Sequence, residues 1–233
     1  GGGKVGAAIF IFGSIITCAL ALLISTPFSI ASAIFMTEIS PGIGRKILQP
    51  AVEIFVGIPS VVYGWIGLTI LVPFIKDLFD LKFGFSVLSA GIVLAVMIYP
   101  TITSLSADAI RSIPKSFRQA SYGLGATRWQ TISQVVIPAS KSGLMTAIVL
   151  GLARAFGEAL AVAMVIGKMK AFPESLLSPT TNLTAAIASD MGGAMEGSEY
   201  NIALWSMALL LFIISLVFIF IIHYISAKGG HKA

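Results

Sequence analysis

Five apolar segments constrain the fold of this chain more than any other feature of the sequence. A helix needs about 20 apolar residues to cross the hydrocarbon core of a bilayer, and five segments reach that length: residues 7–36, 51–72, 86–104, 144–166 and 202–225. None shows the sustained alternation that is typical of strands. Only 11% of the residues are charged, against about 25% in soluble domains. The sequence therefore predicts an all-α, polytopic membrane bundle, with residues 1–233 forming one transmembrane domain.

Lysine and arginine are divided unequally between the two sets of connections. Nine lie in the loops 37–50 and 105–143 and in the tail 226–233, and five lie before the first segment and in the loops 73–85 and 167–201. Basic residues are enriched on the cytoplasmic side of membrane proteins, so the first set is predicted to be cytoplasmic. The visible N-terminus is then outside and the C-terminus inside. Because a chain that starts inside needs one more crossing, we expect a sixth helix before Gly1.

The longest cytoplasmic connection, residues 107–141, is patterned as two short helices. Pro114 suits a first helical turn, and Gly125 suits the left-handed residue after a helix end. Thr127 and Gln130 have capping-box spacing, and Pro138 ends the second helix. Apolar faces are predicted from Phe117, Ala120 and Leu124 in the first helix, and from Trp129, Ile132 and Val136 in the second. From the residues alone, this hairpin either lies on the membrane surface or docks a cytoplasmic partner through Gln119, Tyr122 and the turn.

The hairpin sequence QASYGLGATRWQTISQVVIP resembles the EAA loop of ABC-importer permeases, with Gln119-Ala120-Ser121, Gly125 and Ile137-Pro138 at the matching positions. Gln119 replaces the acidic residue of that motif and Ser121 its second alanine. The resemblance implies a type I ABC importer permease fold and a coupling helix that sits in a cleft of an ATP-hydrolysing subunit. It places the ATPase contacts at seven residues: Ser116, Arg118, Gln119, Ala120, Tyr122, Gly123 and Gly125.

Three further stretches, SIASAIFMTEISP, FVGIPSVVYGWIGLTILVP and LARAFGEALAVAMVIG, resemble the permease of the phosphate-specific ABC importer, nearest to its PstC subunit. The resemblance implies half of a path that moves inorganic phosphate into the cytoplasm through the cell membrane. It also implies four partners: a PstA-type permease, two PstB-type ATPases that bind the ATP and Mg, and an extracytoplasmic PstS-type phosphate-binding protein. Loop 167–201 is then the outside gate or docking surface. Alternatives are the PstA-type subunit and a permease for molybdate, sulfate or another polar solute.

Arg154 and Glu158 stand inside the fourth apolar segment, Arg154 about 15 Å from its start at helical rise. A continuous helix would put both on one face, close to the middle of the bilayer. Charges at that depth face a bundle interior or an aqueous path, and a guanidinium can donate two parallel hydrogen bonds to phosphate. We therefore expect Arg154 to contact the anion. Glu158 either balances the charge of Arg154 or accepts a hydrogen bond from protonated phosphate and so disfavours sulfate. The simpler alternative is an ion pair that serves packing alone.

Ser60 and Tyr63 are lesser candidates for the pathway. Pro59 frees a backbone carbonyl at membrane depth, which is tolerated only where protein or water satisfies it. The two hydroxyls could then line the path, although a packing kink with inward hydroxyls explains them as well.

The sequence lacks the usual marks of an enzyme. His223 and His231 lie at the C-terminal edge, and no Walker lysine loop, HExxH motif or nucleophile elbow occurs. We therefore expect no ATPase site, no cofactor and no metal in this chain. The single cysteine, Cys18, excludes an internal disulfide and a multi-cysteine metal site, and is predicted to be buried. An ion channel or a structural membrane protein without an ATPase remains the alternative class.

Overall fold

The computed structural model describes residues 7–230, and these residues fold into thirteen α-helices without a β-strand. The helices are α1 Ala8–Ile34, α2 Pro41–Ile43, α3 Gln49–Val56, α4 Ser60–Ile66, α5 Val72–Leu78, α6 Val87–Arg111, α7 Lys115–Gly123, α8 Arg128–Thr131, α9 Ile137–Ala139, α10 Lys141–Gly157, α11 Leu160–Val165, α12 Leu183–Asp190 and α13 Glu199–Gly230. Four π-helical turns, Phe35–Ile39, Gly44–Leu48, Gly67–Leu71 and Ile132–Val136, continue or join them. Gly1, Lys4, His231 and Lys232, used in the sequence argument, lie outside the described residues.

Four helical stretches within residues 7–230 are long and apolar enough to cross a membrane: Ala8–Ile39, Ser60–Leu78, Val87–Arg111 and Glu199–Lys228. A fifth span results if Arg128–Ala139 and Lys141–Gly157, which meet at a bend of 68°, are counted together. Of the predicted spans, the first, third and fifth are confirmed as single long helices. Pro27 and Pro100 lie inside α1 and α6 without ending them.

The second predicted span begins later than expected. Residues 51–56 belong to the separate helix α3, and the spanning stretch starts at Ser60 and continues to Leu78. Pro59 is the cause, because its ring removes a backbone donor and disfavours the helical conformation for the preceding residue, Ile58. The predicted break at Pro59 is therefore confirmed, whereas the predicted boundaries 51–72 were wrong.

The fourth predicted span, 144–166, is not one helix. Its first part, α10, has 17 residues and ends at Gly157, which is at the lower limit of the length that a bilayer requires. Glu158 and Ala159 are non-helical, and α11 starts at Leu160. Glycine is a poor helix former, and the structure ends α10 on it. The expectation that Arg154 and Glu158 share the face of a continuous helix was therefore wrong.

The chain divides into two compact units. Unit 1 contains residues 7–24, 58–98 and 152–217 of the described chain. Within it, α11 packs against α4, and Gly64 makes this possible, because a Cβ there would come within 2.8 Å of Ala161 Cα. Gly13 in α1 touches the segment before α12 just as closely, since its Cβ would overlap the Thr181 carbonyl. Cys18 is buried at 3% exposure, as predicted.

Unit 2 contains residues 25–57, 99–151 and 218–230 of the described chain. Its buried apolar cluster joins the second half of α1 to α6, α10 and the π-helical turn before α9, through Ala33, Met36, Ala107, Ile110, Val136 and Leu144. Gly143 in α10 lies against Ala109 in α6, where an added Cβ would come within 2.6 Å of Ala109 Cβ. The helical hairpin, residues 115–139, belongs to this unit.

Candidate functional site

The break between α10 and α11 exposes backbone groups that a continuous helix would satisfy. Two side chains satisfy them instead. Thr184 Oγ1, from α12, donates to the Glu158 carbonyl at 2.7 Å, and the Ala161 N–H donates to Glu158 Oε1 at 3.1 Å. Irregular backbone at membrane depth survives only when protein or water satisfies it. The break is therefore stabilised by α12 as well as by its own residues.

The first turn of α12 is buried and polar. Asn182 caps it, accepting a hydrogen bond from the Ala185 N–H at 2.8 Å. Thr184 Oγ1 also lies 3.3 Å from Asn182 Oδ1, and the Leu183 N–H donates to Ser14 Oγ in α1 at 3.0 Å. Asn182 and Thr184 are only 1% and 4% exposed. These contacts fix the position of the threonine that closes the break.

Arg154 lies in the last turn of α10, and its side chain is half-buried. A cation is favourable at a helix C-terminus, where the dipole is negative, and an anion is favourable at an N-terminus. Arg154 therefore suits the end of α10, and Glu158 suits the start of α11. Each charge therefore lies where it balances a helix end.

Tyr63 is a further pathway candidate in unit 1. It is buried in α4, at 9% exposure. Ser60 is the first residue of α4, half-buried, one turn before Tyr63 on the same side of the helix. Since α4 packs against α11, the elements that carry Ser60, Tyr63 and Glu158 are neighbours within unit 1. A role in substrate passage remains a prediction for all four candidates.

The helical hairpin has the predicted local structure. Gly125 has φ +84°, and Thr127 and Gln130 form both hydrogen bonds of the capping box. Pro114 precedes the first turn instead of belonging to it, and the second helix ends at Ala139, one residue after Pro138. Ser121 is buried, and its hydroxyl lies 2.8 Å from Thr131 Oγ1 in the second helix. Ser121, which replaces the second alanine of the EAA motif, thus links the two helices by a hydrogen bond.

The hairpin exposes four large hydrophobic side chains. Phe117, Tyr122 and Leu124 are 46%, 47% and 90% exposed, and Trp129 is 66% exposed. Of the predicted apolar face of the second helix, Ile132 and Val136 are buried and Trp129 is exposed. Exposed apolar patches of this kind mark contact surfaces.

The predicted coupling residues divide into two groups. Those that are exposed and available to a partner are Ser116, Gln119, Ala120, Tyr122, Gly123 and Gly125. Arg118 instead makes internal contacts, because its guanidinium binds the Glu38 carboxylate and the Ile110 and Ile113 carbonyls. Its partner Glu38 lies 80 positions earlier in the sequence, and no local pattern indicates such a pair.

A polar cluster that sequence reasoning missed lies in unit 1. Lys170 Nζ is 3.1 Å from Asp190 Oδ2 and 2.7 Å from the Tyr200 hydroxyl, which in turn donates to Asp190. Hydrogen bonding to Tyr200 and the charge of Asp190 raise the pKa of Lys170 despite its partial burial. Burial alone would raise the pKa of Asp190, but hydrogen bonds from Tyr200 and Lys170 outweigh it and hold that pKa below its ordinary value. The cluster ties the loop after α11 to the ends of α12 and α13.

Comparisons with known proteins place the chain in a family. Residues 25–229 match the family described as binding-protein-dependent transport system inner membrane component. A probable ABC transporter permease protein, YqgH of Bacillus subtilis, is 56% identical over 97% of this chain and 73% of its own length. The phosphate transport system permease protein PstC of Haemophilus influenzae is 37% identical over 90% of this chain and 72% of its own length.

The fold agrees with this assignment. A structure of the MetNI methionine ABC transporter in an inward facing conformation aligns with a TM-score of 0.66 over 95% of this chain and 96% of its own, at 21% identity. The similarity confirms the predicted all-α fold of type I ABC importer permeases. With its several apolar spans, the chain is a multi-pass membrane protein, and it belongs to the family of binding-protein-dependent transport system inner membrane components.

Proposed function

We propose that this chain is the permease subunit of an ATP-driven phosphate importer and forms half of the path that inorganic phosphate takes into the cytoplasm. The observation that carries this proposal is the 37% identity to a PstC phosphate permease across 90% of the chain. The site supports it through the position of Arg154 at the α10–α11 break. A guanidinium is always charged and matches the geometry of phosphate.

The exposed side of the helical hairpin is the surface that meets the ATPase. Phe117, Tyr122 and Leu124 supply apolar contact area, and Gln119 supplies a polar contact in place of an ionic one. ATP and Mg belong to two PstB-type ATPase subunits, and the permease carries no ATPase site of its own. ATP binding draws those subunits together and moves the hairpin.

The remaining partners are a PstA-type permease and an extracytoplasmic PstS-type phosphate-binding protein. The excess of basic residues in the hairpin and its neighbouring loop supports a cytoplasmic position for the hairpin and the C-terminus. The loop 167–201, with its Lys170–Asp190–Tyr200 cluster, then faces the outside, where the binding protein delivers phosphate.

The test is ATP-driven uptake in vesicles that contain the complete complex and the binding protein. Labelled phosphate, sulfate and molybdate are offered separately. We expect accumulation of phosphate alone, and only with ATP. Accumulation of sulfate or molybdate in preference to phosphate would overturn the assignment of substrate, and uptake that needs no ATPase would overturn the class of transporter.

The role of Glu158 is tested in the same vesicles. Glu158→Gln keeps an oxygen that can accept the Ala161 N–H but removes the charge. If the carboxylate selects protonated phosphate, this variant lowers phosphate uptake or admits sulfate. Unchanged uptake and unchanged discrimination would leave Glu158 as a residue that stabilises the α10–α11 break.

A further inference from the structure

One buried carboxylate binds the first helix of the hairpin to the continuation of α1. Glu38 lies in the π-helical turn Phe35–Ile39 that continues α1, and its side chain is only 8% exposed. Arg118 Nε lies 3.1 and 3.2 Å from the two carboxylate oxygens of Glu38, and Arg118 Nη2 bonds the first of them as well. This two-pronged arrangement is the strong form of an ion pair.

The same guanidinium also holds the end of α6. Arg118 Nη1 donates to the Ile113 carbonyl at 3.0 Å, and Nη2 donates to the Ile110 carbonyl at 3.2 Å. Arg118 therefore connects α7, the end of α6 and the continuation of α1. A lysine could not replace it, because one ammonium cannot reach these acceptors in a planar fork.

A second arginine, from the second helix of the hairpin, binds the same π-helical turn. Arg128, the first residue of α8, donates from Nη2 to the Ile39 carbonyl at 2.8 Å and also to the Glu38 carbonyl. Both arms of the hairpin thus end on the last residues of the α1 continuation. We call Glu38, Arg118 and Arg128 the arginine clamp.

The attachment of α7 is polar, with little apolar packing to replace it. Ser121 is the buried residue of α7, and its partner Thr131 belongs to the hairpin itself. A cavity of about 720 Å³ lies beside the start of α7, lined by Pro114 and Phe117 together with residues of α6 and α10 such as Gly143. In this region α7 is therefore not packed tightly against α10.

We propose that Glu38 is a positioning residue for energy coupling, through which the arginine clamp transmits hairpin movement to α1. This inference rests on the proposed function, since it takes an ATPase partner as the source of the movement. The ATPase displaces the hairpin at its exposed side. The arginine clamp, on the inner side of the hairpin, transmits this displacement to the end of α1, which is a membrane-spanning helix. Without the clamp, the ATPase should still dock on the hairpin and hydrolyse ATP, but hydrolysis should no longer drive transport.

The first test measures solute transported per ATP hydrolysed. Glu38→Gln should lower this ratio by about tenfold, the effect of losing charge-assisted hydrogen bonds, while the ATPase still copurifies. Glu53→Gln is the matched control, because Glu53 is an exposed acid of the same unit whose carboxylate accepts a hydrogen bond from Gln49 instead of an arginine. An unchanged ratio in Glu38→Gln would overturn the proposal.

Arg128→Ala is the variant that should fold in any case. Arg128 is exposed and binds only backbone carbonyls, so its removal leaves no buried charge unpaired. We expect it to lower the transport ratio by a few-fold, with ATPase binding retained. If Arg128→Ala matches the wild type while Glu38→Gln fails to assemble, Glu38 is a folding residue only and the proposal is wrong.

A distance measurement does not depend on which solute is moved. Spin labels are placed at Lys115 in α7 and Phe35 at the end of α1, both exposed, in a Cys18→Ser background. In protein that retains Glu38, the distance between the two labels should stay the same when vanadate traps the nucleotide. In Glu38→Gln it should change or broaden. A wild-type complex that fails to move phosphate refutes the proposed substrate, whereas a label distance that responds alike in both proteins refutes the clamp.

Discussion

The α10–α11 break and the helical hairpin are both interruptions of helix, but they satisfy their backbone groups in opposite ways. The hairpin uses its own neighbours, Thr127 and Gln130 for the start of α8 and Gly125 for the turn, and leaves an apolar side exposed. The break uses Thr184, which lies 26 positions after Glu158 in the sequence, and the Glu158 side chain, which accepts the Ala161 N–H. The first arrangement suits a surface that meets a partner protein, and the second suits a break in a helix whose backbone groups must be satisfied inside a membrane.

The largest expected effect tests the chemistry of the break. Arg154→Ala should reduce ATP-driven phosphate uptake by about 100-fold, because two charge-assisted hydrogen bonds to the anion are lost. Uptake is measured in vesicles with the complete complex. Arg45→Ala, an exposed arginine in the π-helical turn Gly44–Leu48, is the control and should transport normally. Equal uptake by both variants would remove Arg154 from the pathway.

The next effect concerns the stability of the break. Thr184→Val removes the donor to the Glu158 carbonyl and should lower the free energy of unfolding by about 1–3 kcal/mol, the cost of leaving a buried acceptor unpaired. Chemical unfolding in detergent measures it. Thr69→Val is the control, since Thr69 is exposed and bonds within its own helix to the Trp65 carbonyl; its effect should stay within about 0.5 kcal/mol. Equal losses would mean that α12 does not support the break.

The stability of the hairpin should depend on the backbone conformation at a single glycine. Gly125 has φ +84° with nothing within 4 Å of an added Cβ, so Gly125→Ala tests conformation without a clash. We expect a loss of about 1–2 kcal/mol, seen as faster hydrogen exchange in residues 115–131 and weaker ATPase copurification. Gly123→Ala is the matched control, because its surroundings are equally open and it lies in the last turn of α7. It should stabilise the helix by about 0.5–1 kcal/mol.

The smallest effect concerns the Lys170–Asp190–Tyr200 cluster. Because its hydrogen bonds lower the pKa of Asp190, the ionised carboxylate stabilises the fold above the pKa of the unfolded chain. That contribution disappears as the pH falls through the lowered folded value. The pKa of Lys170 is raised, so its contribution persists until the pH exceeds that raised value. Asp190→Asn should therefore reduce the loss of unfolding free energy as the pH is lowered, and it should slightly lower the unfolding free energy at neutral pH. An unchanged acid dependence of the unfolding free energy would show that Asp190 does not stabilise the fold in this way.

The hairpin could be predicted from sequence because its signals are local. Pro114, Gly125, Thr127 and Gln130 each act on residues within one or two turns of themselves. The α10–α11 break was missed because Gly157 alone is a weak signal and Thr184 lies in another element. The Glu38–Arg118 pair was missed for the same reason, since only folding brings α1 and α7 together. The spans at α1, α6 and α13 were predictable because length and apolarity alone decide them.

The most direct test of the central claim is whether an anion path passes the α10–α11 break beside Arg154. Gly157 lies one turn after Arg154 and has open space around it, so Gly157→Cys in a Cys18→Ser background introduces a thiol there with little disturbance. The rate of its reaction with a charged, water-soluble thiol reagent is measured in the assembled complex, with and without phosphate. We predict that the thiol reacts and that phosphate slows the reaction, and that Arg154→Ala abolishes this protection. A thiol that does not react in any nucleotide state, or that reacts at the same rate with and without phosphate while Arg154 is present, would contradict the account.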